Sequence, residues 1–281
     1  MKSLPVVAAI PAYNAELTLG SLLSDVLEQE YDDVYVLDDA STDNTLELAY
    51  GHSRDIVVVA GKENLGPGAN RNRIIPELGY SAIIHFLDSD VRLNSKRSPE
   101  IARELGSPAN IGFVGGMVRN PDGTQNPYNY GPRVSLRNDI SSAAQYLTWM
   151  LGRRVPSTAR FARDHAPLRG YLEQWPNPYE TPRSREVFWS SEANMVIRSR
   201  VFAVTGGYDS RFRFSEIFDY AMRLDEFGMK RLFDPALDVT HHGYDTAGNK
   251  IKGRQKAARQ LRDKYGMRDY LIGPKERLSQ K

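Results

Sequence analysis

Residues 83–90 read Ile-Ile-His-Phe-Leu-Asp-Ser-Asp, IIHFLDSD. Residues 83–87 form a short apolar run that ends in two carboxylates one residue apart, Asp88 and Asp90. A run of this length without polar alternation fits an interior strand of an α/β sheet, where both faces are covered. Ligands of open α/β sheets bind outside the carboxyl ends of the strands. A D-x-D at that point offers hard oxygen ligands to Mg²⁺ or Mn²⁺ and leaves room for substrate phosphates to complete the shell. A solvated loop or a helix-capping turn would use the same residues, so the remainder of the chain decides between these readings.

On the N-terminal side, Ser81–Leu87 follows Asn64–Asn72 (NLGPGANRN), a Gly/Pro turn that leads into a helix, and Asp55–Ala60 (DIVVVA), a strand. Asp33–Leu37 is an earlier strand running into Asp38 and Asp39, with a turn at Ser41 and Asp43 and helix character over Thr45–Tyr50. Leu4–Ile10 is the first strand, which Pro11 is expected to stop because proline cannot donate to a ladder. Thr18–Gln29 places Leu19, Leu22, Leu23, Val26 and Leu27 at helical spacing. Strands alternating with helices imply βαβ units and a mainly parallel sheet.

After about residue 95 the rhythm changes. Ile111–Val118 is a strand with an internal Gly pair, residues 120–132 read as a loop, and Leu136–Leu151 has helix-like spacing. Residues 153–185 carry prolines and charges without a period, and a stretch this long reads as a functional loop or lid. A strand at Asn194–Ile197, a helix around Ser215–Phe227 and a strand within Leu232–His241 follow. Residues 249–264 are rich in Lys and Arg with few apolar positions. They read as a solvated basic helix, with contact to an anionic membrane surface as the alternative.

The chain has 281 residues, 41% hydrophobic, which is enough for a substantial core. Its formal charge of +2 does not advertise nucleic-acid binding. The absence of cysteine excludes disulfides, thiolate zinc and cysteine catalysis, and fits a cytoplasmic location. The apolar run at the N-terminus is short and is explained better by a core strand than by a signal peptide, and no run approaches the ~20 apolar residues of a membrane helix.

With these elements in order, the chain resembles the GT-A glycosyltransferases, most closely glycosyltransferase family 2, over residues 5–243. The likeness rests on IPAYN (10–14), DDASTDNT (38–45), NLGPGANRN (64–72), FLDSDV (86–91), GGYDSRF (206–212) with EIFDYAMRL (216–224), and DPALDVTHH (234–242). It implies a Rossmann-like, mainly parallel sheet flanked by helices, with a nucleotide half over 1–95, an acceptor half over 96–245 and a basic helical extension over 246–281. It also implies transfer of a sugar from a nucleoside-diphosphate donor, UDP-linked in preference to GDP-linked, to a glycan, lipid-linked or small-molecule acceptor, with Mn²⁺ or Mg²⁺. A lipid-linked acceptor would suit the cytoplasmic membrane face; the oligomeric state is not legible.

The resemblance distributes roles residue by residue. Pro11, Ala12, Tyr13 and Asn14 border the nucleobase, and Asp39 accepts from the base or ribose. Arg71 neutralises the diphosphate or bridges to the D-x-D. Asp88 and Asp90, with Ser89 between them, hold ion and diphosphate, and His241 completes the metal shell while the adjacent His242 points to the other face. Trp189, Glu192 and Asn194 belong to the neighbourhood that takes donor sugar and acceptor, and Tyr128, Tyr130, Trp175 and Tyr179 suit acceptor recognition or a lid. A metal acting as Lewis acid on the departing diphosphate, with a carboxylate base on the acceptor hydroxyl, would give displacement at the anomeric carbon, with inversion expected.

One position departs from the family pattern. Where the family has Glu-Asp-x-Asp/Glu, this chain reads Glu216-Ile217-Phe218-Asp219, and isoleucine cannot accept a proton. Glu216 is the first candidate base and Asp219 the second; an anionic acceptor, a retaining reaction or an impaired site are the alternatives. A nucleotidylyltransferase would carry a Gly-rich basic loop after the first strand, which PAYNAELT lacks. A non-catalytic nucleotide- or glycan-binding relative is supported by Ile217 alone.

Overall fold

The computed structural model describes residues 3–79, 81–165, 168–243 and 247–266. The first half alternates as expected: β1 (Val6–Ala12), α1 (Leu19–Leu27), β2 (Asp33–Asp38), α2 (Thr45–His52), β3 (Ile56–Ala60), α3 (Pro67–Arg71), α4 (Ile74–Glu77) and β4 (Ile83–Leu87). Then come β5 (Val91–Leu93), α5 (Ser98–Gly106), β6 (Ile111–Arg119), β7 (Tyr130–Gly131), α6 (Leu136–Gly152), α7 (Pro156–Asp164) and α8 (Leu168–Leu172). The chain continues through β8 (Arg185–Glu186), β9 (Trp189–Ser190), β10 (Asn194–Arg198), α9 (Ser199–Val204), α10 (Glu216–Glu226), β11 (Lys230–His241) and α11 (Ala247–Tyr265).

The main sheet runs β3-β2-β1-β4-β10-β6-β11-β5, with β8 added against β11 and a separate β7-β9 ribbon. Pairing is parallel from β3 to β4 and between β6 and β11; β10 enters antiparallel between β4 and β6. Every residue of β1 and β4 is buried because each sheet face is covered. Val7, Ala9, Ile84 and Phe86 face one core, while Ala8, Ile10 and Leu87 face the other, as the period of two requires.

Pro11 does not stop β1: it pairs with Leu37, and the strand ends at Ala12. The main-chain carbonyls of Val6 and Ala12 accept from Asp32 and Asp39 on the β2 side, whereas Pro5 accepts from Ile83 on the β4 side. Odd-numbered residues therefore face β4, and that ladder ends at Ala9. The donor that Pro11 lacks is on the β4 side, so its absence ends that ladder while the pairing with β2 continues to Ala12.

Two register relations bring distant chain to the D-x-D. Asn194 pairs with Leu87, which sets the segment before β10 beside the carboxyl end of β4. His241, at the end of β11, pairs with Val91. The Gly pair in β6 permits the close packing behind this edge, since a Cβ on Gly116 would lie 2.2 Å from the Asn194 amide nitrogen.

The C-terminal helix is not simply solvated. Ala257 and Leu261 of α11 are buried in a small cluster with Phe212, against Val134, Phe218 and Tyr265. The basic residues 249–255 lie in α11, but their side chains, like residue 246 and residues 267–281, fall outside the described part of the chain.

Candidate active site

A cavity of about 930 Å³ opens at the carboxyl edge of β1, β2 and β4. At one end Pro11, Ala12, Tyr13 and Asp39 line it, and Tyr13 is half exposed at the mouth. Asp39 is buried; its Oδ1 accepts from Leu65 N at 2.9 Å and its Oδ2 from Gly66 N at 2.8 Å, so the carboxylate fixes the Gly/Pro turn as well as facing the cavity. Asn14 is not in the lining. It adopts a left-handed conformation (φ 50°), and its Oδ1 accepts from Thr42 N at 2.9 Å, fastening the end of β1 to the turn before α2.

In the middle, Asp88, Ser89 and Asp90 line the floor. One ligand atom each from Asp88, Asp90 and His241 lies within 4.8 Å of the others, and His241 Nε2 is 3.2 Å from Asp90 Oδ1. Burial and then the neighbouring Asp88 raise the Asp90 carboxyl above its ordinary value, with His241 opposing. Two carboxylates and an imidazole nitrogen with open space on the cavity side are a fitting donor set for a divalent ion that also binds phosphate oxygen. The His242 side chain is exposed, and its backbone N–H donates to the Asp90 carbonyl at 2.8 Å.

Arg71 is buried at the centre of an acidic cluster. Its NH2 lies 2.5 Å from Asp88 Oδ1, and its NH1 is 3.6 Å from Glu192 Oε1 and 3.9 Å from Glu216 Oε1. Burial alone would lower the guanidinium pKa, but the three carboxylates more than reverse this, so it stays charged. Burial, then repulsion from Glu216, pushes Glu192 up to about 8. Glu216 is also raised by burial, against the attraction of Arg71. Gly68 makes this approach possible: a Cβ there would lie 2.8 Å from Glu216 Cγ.

Glu216 begins α10 just after Ser215, which is left-handed at φ 57°. Glu216 and Ile217 both line the cavity, and Ile217 also belongs to the core. The structure does not bring Asp219 to the cavity. It is fully buried on the side of α11, where it accepts from Arg223 Nε (3.0 Å), Lys264 Nζ (2.6 Å) and Tyr265 OH (2.7 Å). Asn194 is likewise absent from the lining. Its Oδ1 accepts from His85 Nε2 at 2.8 Å and its Nδ2 donates to the carbonyls of Met117 and Leu237 at 3.1 Å, so it joins three strands.

The other end of the cavity is aromatic. Trp189 lines it, packed edge-on against Trp175 at 5.9 Å and Phe218 at 5.1 Å, and Tyr128 and Trp175 join it. Tyr130 lines a second cavity instead, and Tyr179 lines neither. Sequence reasoning missed contributors from three segments: Arg213 and Phe214 on the loop before α10, Asn138 and Ser142 on α6, and Ala258 and Leu261 on α11. The last pair had a signal, since Ala257, Ala258, Leu261 and Tyr265 recur at helical spacing among the basic residues.

Comparison with known proteins gives a consistent result. The glycosyl transferase family 2 model matches residues 7–168. An N-acetylglucosaminyl-diphospho-decaprenol L-rhamnosyltransferase of Mycobacterium tuberculosis is 26% identical over 267 residues, covering 87% of this chain and 78% of the relative. S. aureus TarS 1–349, also solved with UDP-GlcNAc, matches with a TM-score of 0.56 at 15% identity over 92% of this chain and 66% of its own. GalNAc-T7 with UDP, GalNAc and Mn²⁺ matches with a TM-score of 0.61 at 14% identity, over 93% of this chain and 49% of its own. The chain thus spans about two thirds and about half of these solved chains, and at such identity the likeness is one of fold, the GT-A fold.

Proposed function

The chain belongs to glycosyl transferase family 2, and on that premise we propose that this glycosyltransferase takes a nucleoside-diphosphate sugar, UDP-linked in preference to GDP-linked, and transfers the sugar with inversion to a lipid-linked glycan acceptor. The observation that carries the proposal is that Asp88, Asp90 and a buried, charged Arg71 line one cavity, with His241 within ligand distance of both carboxylates. The acceptor class follows the name of the M. tuberculosis relative, whose acceptor is an N-acetylglucosaminyl diphospholipid.

We assign the end of the cavity at Pro11, Ala12, Tyr13 and Asp39 to the nucleoside, and residues 1–95 to the nucleotide half. Asp88, Asp90 and His241 would hold Mn²⁺ or Mg²⁺, which when bound neutralises charge on the departing diphosphate. Ser89 and Arg71 face the same phosphates, and Arg71 adds a permanent cation in a site shielded from water. Glu192, whose carboxyl burial raises to about 8, faces the cavity to hydrogen-bond a sugar hydroxyl. Trp189, with Tyr128 and Trp175, forms the wall against which a sugar face packs. Glu216 is the base for the acceptor hydroxyl: it lines the cavity where Asp219 does not, and burial moves its pKa upward toward working pH.

Calorimetric titration with UDP, GDP, CDP and dTDP, each with and without Mn²⁺, tests this. Binding of one nucleotide that requires the metal is the expected result. Binding of none under either condition would leave the cavity without its proposed occupant.

A further inference from the structure

Helix α6 is amphipathic in the reverse sense. Its inward face is polar: Ser141, Gln145 and Thr148 are buried. Ser141 Oγ accepts from Trp175 Nε1 at 2.8 Å, and Gln145 Nε2 donates to the carbonyls of Pro127 and Pro176 at 3.0 Å. Its outward face is apolar. Ile140, Leu147 and Leu151 fall within an arc of about 40° on a 3.6-residue helix, and Ile140 and Leu147 are 59% and 63% exposed. Met150 and Tyr146 extend the same face, and Val155 and Phe161 continue it onto α7.

Half of the large apolar side chains that are exposed among the described residues lie in this one stretch, seven of fourteen. Single exposed apolar residues need no explanation, but a contiguous patch of this kind marks an interaction surface. Its border selects the partner. Arg153 and Arg154 follow directly on α6 and are exposed, and Arg160, an exposed side chain ion-paired with Asp164 at 3.8 Å, stands beside Phe161 on α7. Trp149 sits at the same boundary, 5.9 Å from the Tyr146 ring and with the Arg153 guanidinium 5.3 Å over it. Apolar residues rimmed by arginines and by Tyr and Trp are the composition of a helix lying in a lipid interface. A second copy docked on the same face would gather both sets of arginines into one interface.

We propose that the α6–α7 hairpin docks this protein on an anionic lipid bilayer, with Ile140, Leu147, Leu151 and Phe161 entering the interface and Arg153, Arg154 and Arg160 meeting the headgroups. Docking there differs from docking through the basic C-terminal helix. No helix among the described residues is long and apolar enough to cross a membrane, so the contact is interfacial. The first turns of α6 also line the cavity through Asn138 and Ser142. Asn138 and Ser142 stand on the opposite side of α6 from Ile140, Leu147 and Leu151, so a hairpin lying on the bilayer sets the cavity one helix diameter, ~10 Å, behind the lipid surface; this deepens the proposed lipid-linked acceptor and rests on it for the purpose of docking, though not for docking itself.

The test is co-sedimentation of the full chain with vesicles of mixed phosphatidylglycerol and phosphatidylcholine, and with phosphatidylcholine alone. Wild type is expected to partition onto the mixed vesicles in preference to the neutral ones. The I140E/L147E variant should lose that partitioning by about tenfold or more. Because charged substitutions on a helix can disturb folding, R153S/R154S is the companion variant; both side chains are exposed, and each should reduce binding to the mixed vesicles by about fivefold. Wild type that ignores both vesicle types, or either variant binding as wild type does, overturns the proposal. So does a concentration-dependent dimer that the L147E change dissolves. Vesicle binding without sugar transfer would count against the proposed function and leave docking intact, whereas transfer to a soluble acceptor without vesicle binding would do the reverse.

Discussion

Replacing Lys264 by Met should release α11 from the body of the protein without unfolding the sheet. Lys264 Nζ lies 2.6 Å from the fully buried Asp219 and 2.8 Å from Asp209, and its side chain is 25% exposed. A hydrogen bond to a charged group contributes about 1.5–3 kcal/mol. Partial exposure of Lys264 and the retention of Arg223 and Tyr265 by Asp219 reduce the expected loss to about 1–2 kcal/mol. Beyond that bond α11 is held by Tyr265, which donates to Asp219 at 2.7 Å, by the small cluster of Ala257, Leu261 and Phe212, and by Gln260, which donates to the Arg211 carbonyl at 2.9 Å. The loss should therefore appear as local opening. Hydrogen exchange of amides in 256–266 should quicken by about 5- to 30-fold, while β1 and β4 amides keep their protection. Unchanged exchange in α11, or an equal fall in protection throughout the sheet, would refute the clamp.

Three further outcomes follow from the cavity. Asp90→Asn should weaken metal-dependent nucleotide binding and lower turnover on the order of a hundredfold, because Lewis-acid assistance is worth several kcal/mol; normal metal-dependent binding and turnover would remove Asp90 from the site. Glu216→Gln should cut transfer by about 10²–10⁴-fold while leaving nucleotide affinity unchanged, measured by initial rates beside calorimetry. Glu192 governs a pH dependence of stability. Its folded carboxyl near 8 lies above the ordinary 4.5, so between those values the folded state holds a proton that the unfolded chain has lost. The stability this proton contributes declines as pH rises through that window. Tm of the metal-free protein should fall from about pH 5 to about pH 9, and Glu192→Gln should flatten the fall; parallel curves for the two proteins would contradict the assignment.

The fold of residues 1–95 was legible because its signals are local. Apolar runs of five or six residues ending in acids mark β2 and β4, and the Gly/Pro turn marks α3. The segments the sequence left unread are ones whose structure depends on partners elsewhere. β5 has three residues and exists because β11 returns beside it; β7 and β9 have two each and define one another. Asp219 and Asn194 show the same limit at the site. Their residue types and positions match a binding or catalytic pattern, yet Lys264, 45 residues on, claims one, and carbonyls from two other strands claim the second. α6 misled in the other direction, because helical spacing of apolar residues predicts an inward face and here that face is turned outward.

The first turn of α10 carries the consequence that matters most for experiment. Glu216 and Ile217 face the cavity, Phe218 supports Trp189, and Asp219 holds Lys264 and Tyr265. One rigid turn thus joins the acidic cluster around Arg71 to the helix that lines the far end of the cavity. An Asp219→Asn variant should lose transfer to a lipid-linked acceptor, and a rate measurement alone would make it look like loss of a base. The two causes separate in the absence of acceptor. A displaced α11 leaves metal-dependent nucleotide binding and slow donor hydrolysis intact and raises the KM for acceptor, whereas loss of a base lowers kcat at saturating acceptor. Lys264→Met should then reproduce the Asp219→Asn phenotype, and Lys264→Arg should restore part of what Met removes, because a guanidinium can still reach a carboxylate that a thioether cannot. A kcat defect in Asp219→Asn that Lys264→Met does not share would return Asp219 to the chemistry.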